Sequence, residues 1–260
     1  MPQIFPKALN PIAKMLVLAA PLMAGGAGVG GAAFYRSGYA TGVEEIRPQP
    51  VAFSHAHHVG QLGIDCRYCH TSVEKSGFAN VPPTKTCMNC HQQIWQGADL
   101  LAPVRNSYKE DKPLDWLRVH NLPHYAYFNH SIHVAKGVGC QSCHGRLDQQ
   151  NLTKQENTLL MEWCIACHRA PEKHLRPKSE VFSMTYDVSR LEEASGAEKP
   201  GPKKWVAEDF PHNGKMADGS MSPHIGQPRP TSQKEMGLFL KEQYHVRDAV
   251  TLTNCSMCHR

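Results

Sequence analysis

The chain has 260 residues, a formal net charge of +5 and a mean hydropathy of −0.45, with 8% aromatic residues and 19 prolines and 20 glycines scattered along it. That composition excludes long regular elements around a large apolar core, so short helices and loops are expected. The modest positive balance is read as a solvated surface, and no nucleic-acid partner is inferred from it.

Residues 1–14 carry Lys7 and Lys14 and read as a cytoplasmic N-terminus. From Met15 to Tyr35 no residue is charged, which is long enough to cross a bilayer of about 30 Å at about 1.5 Å per residue. Arg36 closes the stretch. Gly31-Ala32-Ala33 resembles the cleavage site of a secretory signal, but the reading adopted is a retained transmembrane anchor, bent at Pro21. Its glycines, Gly26 and Gly30 among them, let another helix approach closely, so integral membrane subunits are expected as its neighbours. Lysines before the span put the N-terminus in the cytoplasm. Residues 36–50, ending at Pro48 and Pro50, read as a linker.

From residue 51 the chain repeats itself. Phe53-Ser54-His55-Ala56-His57-His58-Val59 precedes Cys66-Arg67-Tyr68-Cys69-His70, and Cys87-Met88-Asn89-Cys90-His91 completes a first repeat at 51–95. A Pro-rich, charged bridge lies at 96–127, with Trp116, Leu117, Val119 and Leu122 as apolar anchors. The second repeat, 128–186, opens with Phe128-Asn129-His130-Ser131-Ile132-His133. It continues through Cys140-Gln141-Ser142-Cys143-His144 to Cys164-Ile165-Ala166-Cys167-His168. The copies align with one inserted residue, so His55 matches His130 and His58 matches His133. His57 falls opposite Ile132 and reads as a bystander. Residues 187–235 form an irregular insertion, and 236–260 hold a short helix, Met236 to Tyr244, and a fifth motif, Cys255-Ser256-Met257-Cys258-His259.

Five CxxCH motifs use all ten cysteines. Two thiols three residues apart lie on one side of a helical turn and can form thioethers to two vinyl groups of a haem, while the adjoining imidazole takes one axial position on iron. A disulfide framework, zinc knuckles or a thioredoxin-like dithiol behind Trp163 would not require a histidine after every second cysteine, and no βαβ pattern surrounds Trp163. The expectation is therefore five covalent haems c, ligated by His70, His91, His144, His168 and His259. Four distal ligands are expected at His55, His58, His130 and His133. The fifth falls to His120 or Met184, and more weakly to His174, Met216, Met221, His224, Met236 or His245; His124 reads as a surface residue. The expected fold is a multihaem cytochrome c of short α-helices and loops wrapped around five haems, with little β structure and one N-terminal transmembrane helix. Haem propionates would make the holoprotein less basic than the residue count.

The order of anchor, FSHxxHV with two motifs, the WLRVHNLPxYxYFNHSIHV segment with two more, CHRAPE and LTNCSMCHR resembles the pentahaem cytochrome subunit of bacterial alternative complex III along nearly the whole chain. The FxHxxH element is less specific, being shared with cytochromes of the c3 and c7 types. The resemblance implies an electron carrier without chemistry of its own inside a quinol oxidoreductase. Electrons would arrive from an iron-sulfur subunit and leave to a monohaem cytochrome c or a terminal oxidase. It also implies a bacterial inner-membrane location with the haem domain periplasmic, and it carries axial roles onto the five motif histidines and the upstream pairs. Two other functions fit the motifs: a multihaem reductase of a small oxyanion, which needs one open iron face, and a stand-alone quinol dehydrogenase held by one helix.

Overall fold

The computed structural model describes residues 6–188, 204–216, 218–230 and 232–259. Its first long element, α1 (Asn10–Arg36), has Pro11 in its opening turn, where a missing N–H costs nothing, carries Pro21 inside, and buries no residue. Ser37 ends it and caps α2 (Gly38–Thr41) by accepting from the Ala40 amide, and Gly42 stops α2 at φ +73°, a conformation that favours glycine.

Beyond α2 the helices are short, as the proline and glycine content demands. A π-helical turn, Ala56–Gln61, leads to α3 (Cys66–Cys69), capped by Asp65, and to α4 (Thr84–His91), then α5 (Ala102–Glu110). The second repeat supplies α6 (His130–Ala135), capped by Asn129, with α7 (Gln141–His144) and α8 (Met161–Arg169). The C-terminal part adds α9 (Gln233–Gln243), capped by Ser232, and α10 (Ala249–Leu252), capped by Asp248. Among the described residues β structure is confined to isolated bridges.

The residues expected as a linker are strapped down. Thr41 accepts from Gln155 Nε2 at 2.9 Å, Glu44 N–H donates to the Gln155 carbonyl at 2.9 Å, Val43 bridges Gln155, and Lys154 pairs with Glu44.

Among the described residues two apolar clusters are buried. Val51, Leu101 and Val104 form one, against which Leu114 and Trp116 of the bridge pack; Leu117, expected as a further anchor, is exposed. The larger joins Leu175, Trp205, Phe210, Met236, Leu240 and Tyr244. Part of the stretch read as an irregular insertion thus builds a conventional core. Asp209 is fully buried there, paired with Arg229 and accepting from Ser179 Oγ at 2.6 Å and the Val206 amide at 2.9 Å. Sequence composition hid this, because the packing residues are widely spaced; of the runs that looked unstructured, those at 189–203 lie outside the described residues, whereas Ser222-Pro223 is described.

The internal repeat is reproduced in the ring contacts of its histidine pairs. Phe53 stacks on His58 (4.4 Å, 21°) and meets His55 edge-on (4.9 Å, 85°); Phe128 stacks on His133 (4.5 Å, 25°) and meets His130 edge-on (4.7 Å, 88°). His58 and His133 each hold the carbonyl four residues back, at Ser54 and Asn129. Each repeat then seats its histidine pair on the other. Ala56 N–H donates to the Gln150 carbonyl, six residues after His144, and Ser131 N–H donates to the Ser76 carbonyl, six residues after His70. One contact is made twice, about a local pseudo-two-fold.

Candidate haem centres

None of the motif-bearing helices α3, α4, α7 and α8 buries a residue against protein. All ten cysteines are free thiols, none in a disulfide. Among the described residues no group of three or more His, Cys, Asp or Glu side chains converges on one point, as a zinc cage would require.

Burial raises the pKa of Cys69, Cys87 and Cys164, takes Cys167 to about 11 and Cys143 to about 12. Such thiols are poor thiolates, the opposite of an active dithiol. The same electrostatics give an order. Cys87 lies near enough to Cys69 to raise it, Cys66 and Cys140 are within hydrogen-bond reach of each other, Cys167 and Cys164 raise Cys143, and Cys258 raises Cys164. The motifs therefore neighbour one another in the order second, first, third, fourth, fifth.

The imidazoles are held by one rule. Nδ1 faces a backbone carbonyl in His58 (Ser54, 2.8 Å), His70 (Asn80, 2.6 Å), His91 (Ile94, 3.2 Å), His130 (Gly77, 2.9 Å), His133 (Asn129, 2.7 Å), His168 (Leu252, 2.9 Å) and His259 (Tyr125, 2.9 Å). His55 Nδ1 meets Thr153 Oγ1 at 2.9 Å. A carbonyl only accepts, so in the first seven the proton sits on Nδ1 and the Nε2 lone pair is free for a metal. Burial lowers His55 to about 4, with His70 and His58 adding to the effect, and lowers His133 and His144, so these rings are neutral at pH 7.

Among the described residues three upstream imidazoles lie at a similar distance from a motif imidazole. His58 and His91 have centroids 6.2 Å apart, His133 and His168 6.2 Å, and His130 and His144 6.4 Å. Two metal–nitrogen bonds of about 2.0 Å, plus about 1.1 Å from each nitrogen to its ring centre, span about 6.2 Å, so these pairs suit two axial ligands on one iron. In each, one member comes from an upstream pair and the other from a CxxCH motif of the same repeat. By the repeat's equivalence His55 belongs with His70, which is near enough to help lower its pKa.

The remaining candidates fall elsewhere. His120 packs edge-on to His144 at 4.3 Å, is lowered to about 4 by burial, and has a buried Nε2 without a hydrogen-bond partner. Met184 is buried on the segment that holds the third motif, where Val181 accepts from Cys140 N–H and Ser183 from Arg176. Both therefore lie beside the third motif. Among the described residues no second imidazole faces His259, which rests on the Tyr125 ring at 5.9 Å. Met236 is a core residue, His224 packs on Phe239 at 5.0 Å, and Met216 and Met221 are exposed. His57 is turned away, its Nδ1 on Gln61 at 2.8 Å. Sequence reasoning missed the carbonyls that aim the ligands; Asn80, at φ +73°, is the one with a local signal.

Imidazoles paired across one iron's width, each beside a thiol pair, fit a multihaem c-type cytochrome, and the chain belongs to that family. A family model for cytochrome c7 and related cytochrome c matches residues 126–189, the second repeat. The chain is also similar to the menaquinone reductase multihaem cytochrome c subunit of Nitratidesulfovibrio vulgaris, 31% identical over 152 residues, covering 50% of this chain and 71% of that protein.

Proposed function

We propose that this chain is the electron-transfer subunit of a membrane quinol oxidoreductase of the alternative complex III kind, anchored in the bacterial inner membrane with its haem domain in the periplasm. The observation that carries this is the set of three imidazole pairs at 6.2–6.4 Å, each joining an upstream histidine to a motif histidine. Ligands on both sides of an iron suit electron carriage rather than substrate binding.

Cys66, Cys69, Cys87, Cys90, Cys140, Cys143, Cys164, Cys167, Cys255 and Cys258 would hold five haems c, which supply reversible one-electron chemistry when bound. The protein fixes each motif beside the next and orients most of the ligating rings through Nδ1. The relative is named as a menaquinone reductase subunit, which supports a quinone-linked role here. An iron-sulfur subunit would deliver electrons, integral membrane subunits would pack against the glycine face of α1, and a monohaem cytochrome c or terminal oxidase would accept. A pyridine haemochrome assay on purified protein should give five haems c per chain, and fewer than five would overturn the reading. Purification in mild detergent should retain an iron-sulfur subunit.

The placement of His259 favours one alternative, a site open to a small oxyanion at the fifth motif. A high-spin ferric EPR signal that shifts on adding nitrite would select it. Purely low-spin signals would exclude it.

A further inference from the structure

The helix α1 buries nothing along its length, yet its last residue is fitted to the haem-bearing part of the chain. Arg36 Nε donates to Glu162 Oε1 at 2.9 Å and Nη2 to Oε2 at 2.8 Å, a two-pronged grip on the first turn of α8. An exposed ion pair alone holds little. Here it is backed by the strap behind it, in which Thr41, Val43 and Glu44 bond to Gln155 and Lys154.

The same end of α1 has the side chains of a membrane boundary. Phe34, Tyr35 and Tyr39 are 57%, 62% and 89% exposed, and Arg36 is the first charge after the apolar stretch. Aromatic rings next to a basic residue mark the headgroup level. Glu162 is held at that level, Met161 beside it is 64% exposed, and Cys164 comes two residues on, about 3 Å along the helix axis. We infer that the fourth motif, Cys164–His168, is the haem site that faces the bilayer, with Met161 seated among lipid headgroups beside Phe34 and Tyr35. The inference rests on the retained anchor of the proposed function and commits the membrane contact to one site within the row.

The test replaces Met161, and in a second strain Ile94 near the second motif, with benzoylphenylalanine in the full chain, and illuminates inner membranes. Mass spectrometry should find phospholipid joined to position 161 several-fold more than to position 94. The Glu162→Arg variant should lower that yield, and adding Arg36→Glu should restore it. A polypeptide adduct at 161, equal lipid labelling at both positions, or a mature chain beginning after Ala33 would overturn the inference. Haem counts on the same membranes separate the two readings. Five haems without lipid at 161 would sink the orientation alone, and fewer than five would sink the electron carrier whatever position 161 contacts.

Discussion

The seam between the repeats has one tight side and one loose side, and that asymmetry can be measured. A methyl built on Gly60 would stand less than 3.0 Å from the Asp148 carbonyl oxygen, closer than real Cβ atoms come, whereas one on Gly77 would meet the Phe128 carbonyl oxygen at an ordinary 3.5 Å. The obstacle at Gly60 is backbone, so the 147–150 segment must give way, taking with it the Gln150 carbonyl that receives the Ala56 amide. Overpacking of this kind costs about 1–3 kcal/mol. Alanine's better helix propensity offsets at most about 1 kcal/mol. Gly60→Ala should therefore lose about 1–2 kcal/mol, a Tm drop of roughly 2–8 °C for a domain of this size, and Gly77→Ala should stay within about 0.5 kcal/mol of the parent. Thermal unfolding tracked by the haem absorption of both holoproteins decides it. Equal effects, or a stabilised Gly60→Ala, would refute the account of the seam.

His133→Met should raise the midpoint potential of one haem, by tens to hundreds of millivolts within the roughly 0.8 V that axial ligands command; a redox titration with all midpoints unmoved would contradict the His133–His168 pairing. Asp209→Ala strands Arg229 in the larger core and should cost about 3–5 kcal/mol in urea unfolding, with haem content unchanged. The hydrogen bonds from Arg36 hold the Glu162 carboxyl below its ordinary range. The contribution of this clamp is thus fully present above the unfolded glutamate value of about 4.3. It fades only as pH falls through the lower folded value. Limited proteolysis between residues 37 and 47 should stay slow down to about pH 5 and quicken below the glutamate range.

The motif chemistry and the repeat were legible because they depend on fixed spacings. CxxCH and FxHxxH impose their own local geometry, and the aligned pairs His55/His130 and His58/His133 make matching ring contacts with Phe53 and Phe128. What stayed hidden is non-local. No spacing in the sequence tells that Gly77 and Tyr125 offer carbonyls to His130 and His259, or that His120 lies beside His144. The core around Asp209 was hidden for a related reason. A buried acid reads as a surface residue until Arg229, twenty positions on, is seen against it.

The reciprocal contacts of Ala56 with Gln150 and of Ser131 with Ser76 have the form of an isologous dimer interface, in which each half offers the other the same patch. Held on one polypeptide by residues 96–127, the halves meet at a high effective concentration and need little affinity of their own. This bears on the loss of either half. Ala56 and Ser131 each bond to a carbonyl supplied by the other copy, so a chain shortened to one copy leaves its histidine segment without that seat.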